Sequence, residues 1–218
     1  MRKHEILKRM LDNQVVGIIR TETAEEAILA SEACIRGGMH CLEVTFTVPN
    51  AQDIICTLSK KYKDTDVLIG AGTVLDPETA RAALLSSAEF IVSPTFHIEV
   101  AKMCNRYSKL YTPGVMILNE IMTAMDAGVE LLKIFPASAM GMKYLTAVKA
   151  PLPQALLMPT GGVSLDNAAD WLANGADALG IGGQLTVGVK TGDYNAVEET
   201  ARKFCEIVKQ VKIAKGEK

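Results

Sequence analysis

Residues 128–136 read Gly-Val-Glu-Leu-Leu-Lys-Ile-Phe-Pro, and they contain both the recurring pattern of the chain and its least expected residue. The glycine supplies the left-handed turn that ends a helix, and an apolar strand follows two residues later. The same order of small residue, short turn and apolar strand recurs at 38–42, 87–91 and 175–179. This pattern predicts helices alternating with short strands, as in βαβ units built on a parallel sheet.

Eight strands are predicted, with starting points roughly 20 to 26 residues apart, the length of one strand plus one helix. They cover 15–20, 41–45, 67–71, 90–93, 110–112, 131–135, 156–158 and 178–181. The predicted helices include 1–14, 23–35, 77–85, 97–107, 117–127 and a C-terminal helix over 196–214. Eight such units favour an α/β fold with one domain over residues 1–218, a closed (β/α)8 TIM barrel, while an open doubly wound sheet is the alternative.

Lys133 is the unexpected residue, because an ammonium in an apolar strand needs a partner, solvent or the loss of its proton. A neutral amine is a nucleophile that can form a Schiff base with a carbonyl group. Glu43 is a second charge in a similar strand. Side chains alternate between the two faces of a strand, so if Leu42, Val44, Leu132 and Ile134 face the helices, the residues between and after them face the barrel axis. These inward residues are Glu43, Thr45, Lys133 and Phe135. We interpret the two charges as a nucleophile with an acid/base, although a structural ion pair or a water-facing lysine on an edge strand are alternatives.

Two glycine-rich segments follow the seventh and eighth predicted strands, at 159–163 and 180–183. Loops at these places in a barrel often bind phosphate through backbone N–H groups, so Gly161, Gly162, Gly182 and Gly183 are candidates for an anion site as well as for tight turns. Arg20 ends the first predicted strand, where it could hold a carboxylate in two hydrogen bonds or simply be solvated. Thr73 offers a hydroxyl at the same rim.

Composition excludes several classes of protein. The net charge is −2 and the basic residues are dispersed, which argues against nucleic acid and anionic membranes as partners. No apolar run approaches the length of a bilayer span, and the charged N-terminus lacks the apolar block of a signal peptide. Five widely spaced cysteines predict free thiols in the cytoplasm. Three histidines without ligand spacing argue against a metal centre, and His97 is interpreted as a helix cap or surface residue.

Six motifs occur in an order that resembles one enzyme family, the 2-keto-3-deoxy-6-phosphogluconate (KDPG) and 4-hydroxy-2-oxoglutarate (KHG) aldolases. They lie at 43–47, 70–75, 92–94, 113–115, 132–136 and 159–163, and the resemblance extends from about residue 15 to residue 209. It implies a class I aldolase without cofactor, usually a homotrimer, that cleaves a 2-keto acid substrate to pyruvate and an aldehyde.

The resemblance also implies the roles of individual residues. The lysine matching Lys133 forms the Schiff base, and the glutamate matching Glu43 moves protons. Positions matching Thr73, Pro94 and Phe135 line the pyruvyl pocket. Positions matching Thr160, Gly161, Gly162 and Gly183 surround the phosphate. Arg20, which other members share, is expected to take over the anion contact of an arginine that some members carry at the position of Thr47.

Two positions depart from the common family pattern. Some members carry arginine where this chain has Thr47, and many carry serine where it has Gly183. The missing hydroxyl leaves open whether the aldehyde part of the substrate is phosphorylated. A sugar-phosphate isomerase or synthase, and a non-catalytic barrel that senses a phosphorylated metabolite, are the alternative functions.

Overall fold

The computed structural model describes residues 2–216. It contains nine strands, all of which pair in parallel. They are β1 (Val15–Ile19), β2 (Cys41–Thr45), β3 (Leu68–Gly72), β4 (Phe90–Val92), β5 (Leu110–Thr112), β6 (Gly114–Val115), β7 (Leu131–Ile134), β8 (Leu156–Pro159) and β9 (Leu179–Ile181).

Helices connect the strands and cover their outer side. They are α1 (Lys3–Asn13), α2 (Ala24–Arg36), α3 (Ala51–Lys61), α4 (Pro77–Leu85), α5 (Ile98–Arg106), α6 (Leu118–Asp126), α7 (Ala137–Met140), α8 (Lys143–Lys149), α9 (Ala168–Ala173) and α10 (Tyr194–Lys215), with a 3-10 helix at Val187–Thr191. No helix within 2–216 combines the length and apolar character needed to cross a membrane.

The strands form a closed barrel, as predicted, and not the open sheet. Six of them pair in the order β5-β4-β3-β2-β1-β9, and three in the order β6-β7-β8. Two links close the ring: a parallel bridge joins Thr160 to Gly180, and Pro113 joins β5 directly to β6. The eight predicted strands are all present, with one correction: the fifth continues beyond Thr112 and is divided at Pro113, which has no backbone N–H to donate, into β5 and β6.

Several predicted boundaries shift by one or two residues. Arg20 and Phe135 follow their strands instead of ending them, because the strand pairing stops at Ile19 and at Ile134. The N-terminal helix begins at Lys3, and residue 1 of its predicted range lies outside the described residues. The C-terminal helix begins two residues earlier than predicted, at Tyr194, since the carboxylate of Asp193 accepts a hydrogen bond from the N–H of Ala196.

Side chains on the two faces of the strands enter two different apolar clusters. Leu42, Val44, Leu132 and Ile134 pack outward against the helices, which confirms the predicted alternation. The inner cluster fills the lower part of the barrel and includes Phe90, Leu110 and Leu131 from the strands. Ile6, Leu7 and Met10 of α1 join it, so α1 packs across the N-terminal end of the barrel.

The inward side chains form layers of four, each drawn from alternate strands, as in other barrels of this kind. By the strand registers, Glu43, Val92, Lys133 and Gly180 share one layer. The next layer towards the N-terminal ends of the strands, here called the layer below, contains Val16, Gly70, Thr112 and Met158. The inner apolar cluster continues beneath it. The barrel is therefore apolar in its lower half and polar towards the C-terminal ends of the strands.

Candidate active site

A cavity of about 510 Å³ opens at the C-terminal ends of the strands. Its lining includes every predicted site residue except Glu43, which lies beneath the cavity surface: Arg20, Thr73, Pro94, Lys133, Phe135, Thr160, Gly161, Gly162, Gly182 and Gly183. Five further lining residues were not among the predicted site residues: Ile18, Thr47, Val163, Gly180 and Thr186. Strand alternation from Arg20 could have identified Ile18, whereas no sequence signal marks Thr186.

Lys133 and Glu43 meet across the barrel axis. Nζ of Lys133 lies 3.9 Å from Oε1 of Glu43, and only 7% and 1% of the two side chains are exposed. Nζ also lies 5.1 Å from the centre of the Phe135 ring. The lysine is therefore buried next to a carboxyl group and an aromatic face, with its end at the floor of the cavity.

The glycines of β3 leave room for the Glu43 carboxyl group. A Cβ atom at Gly72 would lie 2.8 Å from Oε1 of Glu43, which is closer than real Cβ contacts allow. At Gly70 a Cβ atom would lie 2.4 Å from the ring of Phe90. The sequence Leu-Ile-Gly-Ala-Gly thus places its two glycines where neighbouring strands send large side chains into the barrel.

Burial raises the pKa of Glu43, while the charges of Lys133 and Arg20 act in the opposite direction without cancelling the effect. Its second oxygen, Oε2, has no hydrogen-bond partner among residues 2–216. A raised pKa brings a carboxyl group closer to the working pH at which an acid/base catalyst exchanges protons most effectively.

Arg20 lies at the exposed rim of the cavity and donates a hydrogen bond from Nη2 to Oγ1 of Thr73, at 3.2 Å. Thr73 has a positive φ of 57°, which turns the chain sharply after β3. A guanidinium group and a hydroxyl group therefore stand together above Lys133, in a position to bind an anionic group in the cavity.

The two glycine-rich loops meet at the other side of the cavity. Gly162 has a φ of +85°, and a Cβ atom there would lie 2.7 Å from Cβ of Ser138, so both backbone and space require glycine. The backbone N–H groups of Gly162 and Gly183 donate to no acceptor within the described part of the chain. A Cβ atom at Gly183 would meet nothing within 4 Å.

Other residues singled out by the sequence have roles in the fold. The Nδ1 atom of His97 accepts a hydrogen bond from the N–H of Glu99 and caps α5, as interpreted above. All five cysteines are free thiols. Residues 2–216 contain no group of three or more His, Cys, Asp or Glu side chains arranged to hold a metal ion.

The raised pKa of Glu43 predicts a pH-dependent effect of Glu43→Gln on stability. The folded protein binds this proton more tightly than the unfolded chain, so wild type loses stability relative to the variant as pH rises from below 4.5 through the raised pKa. Urea unfolding of both proteins, at a pH below 4.5 and at neutral pH, measures the difference.

Glu99→Gln is the matched control, because Lys102 lowers the pKa of the exposed Glu99 and the trend should have the opposite sign. If the difference in the free energy of unfolding between wild type and Glu43→Gln does not change with pH, the raised pKa of Glu43 is contradicted.

Comparison with known proteins agrees with this geometry. The family model "Aldolase: KDPG and KHG aldolase" matches residues 6–200. The 2-dehydro-3-deoxy-phosphogluconate aldolase of Treponema pallidum is 33% identical, over 94% of this chain and 96% of its own. The 2-dehydro-3-deoxy-6-phosphogalactonate aldolase of Escherichia coli is 35% identical, over 89% and 93%.

A solved structure shares the fold. The KDPG aldolase of Legionella pneumophila, captured with pyruvate as a covalent carbinolamine intermediate, superposes with a TM-score of 0.82 at 28% identity, over 89% of this chain and 95% of that one. With the family model and both relatives matching most of the chain, this protein belongs to the KDPG and KHG aldolase family of carbon–carbon lyases.

Proposed function

We propose that the protein is a class I aldolase, in which Lys133 forms a Schiff base with a 2-keto-4-hydroxy acid. The observation that carries this proposal is the buried pair of Lys133 and Glu43, 3.9 Å apart at the floor of the cavity. The covalent carbinolamine with pyruvate described for the Legionella relative supports the same chemistry.

In the first half of the reaction, Lys133 transfers its proton to Glu43 and attacks the C2 carbonyl carbon of the substrate as a neutral amine. The attacking nitrogen then gives up one of its protons to the former carbonyl oxygen, which yields a neutral carbinolamine. Glu43 then returns a proton to that hydroxyl group, which leaves as water, and an iminium ion remains. Arg20 and Thr73 hold the substrate carboxylate at the rim throughout.

In the second half, Glu43 removes the proton of the C4 hydroxyl group. The C3–C4 bond breaks, the aldehyde forms at C4, and the bonding electrons pass into the iminium group to give an enamine. Protonation at C3 restores the iminium ion, and water releases pyruvate and free Lys133. The iminium nitrogen is the electron acceptor, so these steps require no cofactor.

We propose a 2-keto-3-deoxy sugar acid as substrate, with KDPG as the example, and 4-hydroxy-2-oxoglutarate as a smaller one. The aldehyde product is then glyceraldehyde 3-phosphate or glyoxylate. The N–H groups of Gly162 and Gly183 support a phosphate at the far side of the cavity. The open space at Gly183 favours, as second candidates, unphosphorylated 2-keto-3-deoxy acids and the galactonate-derived substrate named for the Escherichia coli relative.

We further propose that residues 1–218 act as one barrel domain in the cytoplasm, where reducing conditions keep the five free thiols from forming disulfides. The proposed assembly is a homotrimer, for which Ile117, Leu118 and Met122 provide exposed apolar side chains around α6.

Lys133 should be modified when the protein is incubated with pyruvate and borohydride, because the hydride reduces the iminium ion to a stable amine. Peptide mass spectrometry locates the adduct. Lys133→Met should give no adduct and lose cleavage activity, whereas the exposed Lys102→Ala should behave as wild type.

An unmodified Lys133 in the wild-type protein would contradict the Schiff-base proposal. Binding of phosphate esters without any adduct would favour the isomerase or synthase. Unchanged ligand affinity and unchanged biological activity in Lys133→Met would favour the sensor.

Gly183→Ser should selectively strengthen binding of the phosphorylated substrate, since it adds one hydroxyl donor where the structure leaves space. One added hydrogen bond predicts a KM for KDPG lower by about two- to 100-fold, with little change for the unphosphorylated acid. Steady-state cleavage of both acids measures this, and Gly183→Ala, which adds the carbon without the hydroxyl group, is the control. Equal effects on the two acids would show that no phosphate lies at this loop.

The homotrimer is tested by light scattering of the intact protein, which should give a mass near three times 23.4 kDa. Replacing the exposed Met122 of α6 with lysine should lower that mass if the face around α6 forms the contact. A wild-type mass of one chain would contradict the assembly.

A further inference from the structure

Thr112 has a fully buried hydroxyl group that makes no hydrogen bond within residues 2–216. Buried hydroxyl groups in folded proteins nearly always have a partner, and leaving one unpaired destabilises the fold. A valine of the same shape would avoid this penalty. The unpaired hydroxyl group is therefore a feature that packing does not explain.

The side chain of Thr112 faces the inside of the barrel. Its neighbours on β5 show this, since Leu110 belongs to the inner cluster and Tyr111 to the outer one. Thr112 of β5 pairs with Val92 of β4, and Gly114 of β6 pairs with Lys133 of β7. These registers place Thr112 in the layer directly below the one that contains Lys133.

On the side of β5 and β6, one inward-facing side chain lies near Lys133 in the strand register. Gly114 is level with Lys133 in the pairing and has no side chain, so the next inward group on that strand is the side chain of Thr112. The N–H of Lys133 also donates to the carbonyl oxygen of Pro113, at 2.9 Å, which fixes the two strands against each other.

The two layers contain three polar side chains, those of Glu43, Lys133 and Thr112, among apolar residues and glycines. Two of the three have an unpaired buried oxygen: Oε2 of Glu43 and Oγ1 of Thr112. Thr112 does not line the cavity, so it acts on the reaction through its neighbours and not through the substrate.

We infer that Thr112 is a positioning residue for Lys133, and that its hydroxyl group accepts a hydrogen bond from the lysine amine when the amine is neutral. A neutral amine has two N–H groups and one lone pair. If Glu43 and Thr112 accept the two N–H groups, one from across the axis and one from below, the lone pair points up into the cavity. Hydrogen bonds of this kind are often absent before substrate binds and form in the complex. The inference rests on the proposed Schiff-base chemistry.

The test is a pair of substitutions, Thr112→Val and Thr112→Ser, assayed for cleavage of KDPG. Thr112→Val removes the hydroxyl group and keeps the shape, so kcat should fall about tenfold with KM nearly unchanged. Thr112→Ser keeps the hydroxyl group and should retain at least half of the wild-type kcat. The melting temperature of Thr112→Val should not fall, because no hydrogen bond is lost.

A second measurement isolates the step concerned. Exchange of the pyruvate methyl protons for deuterium, followed by NMR, requires formation of the Schiff base and the enamine but no C3–C4 cleavage, and it should slow by the same factor in Thr112→Val. Thr112→Ala provides the same test should Thr112→Val not fold. Ser31→Ala is the control, because it removes a fully buried hydroxyl group of α2 that donates to the carbonyl oxygen of Ala27.

A wild-type kcat in Thr112→Val would overturn the inference, as would a Thr112→Ser variant as slow as Thr112→Val. Either result leaves the proposed function intact as long as wild type forms the borohydride adduct with pyruvate. Failure of wild type to form that adduct removes the proposed function itself.

Discussion

The structure depends on one constraint: an amine and a carboxyl group are buried together inside a ring of strands. Two unit charges 4 Å apart attract by about 4 kcal/mol at the dielectric typical of proteins. Removing both from water costs several kcal/mol for each, so the pair of Lys133 and Glu43 does not exist for stability. The raised pKa of Glu43 expresses the same balance, since burial outweighs the attraction of the nearby cations.

The barrel accommodates this pair by the size of the side chains around it. Gly72 and Gly180 place no side chain at the centre, and the Glu43 carboxyl group occupies the space that Gly72 leaves. Below, Phe90 fills the space beside Gly70. Large and small residues therefore alternate from layer to layer, and this alternation sets both the shape of the cavity floor and the position of the reacting groups.

The sequence predicted the features that depend on local pattern. Strand alternation brought Glu43 and Lys133 to the same interior, and the glycine-rich loops at 159–163 and 180–183 predicted one wall of the cavity. The division of the fifth strand at Pro113 was missed, because pairing on either side of a proline depends on neighbouring strands that are distant in sequence. Thr112 was missed because threonine is an ordinary strand residue, and only its burial without a partner makes it unusual.

Helix α1 gives the barrel two unequal ends. Ile6, Leu7 and Met10 pack against the apolar residues of the lower barrel, which leaves the mouth at the C-terminal ends of the strands as the route to Lys133. A molecule tethered to the deepest residue of such a dead-end passage is trapped behind anything that occupies the mouth. Under the proposed Schiff-base chemistry, the fragment cut from the outer part of the substrate would consequently depart before the tethered one, and the fold itself would set the sequence of product release.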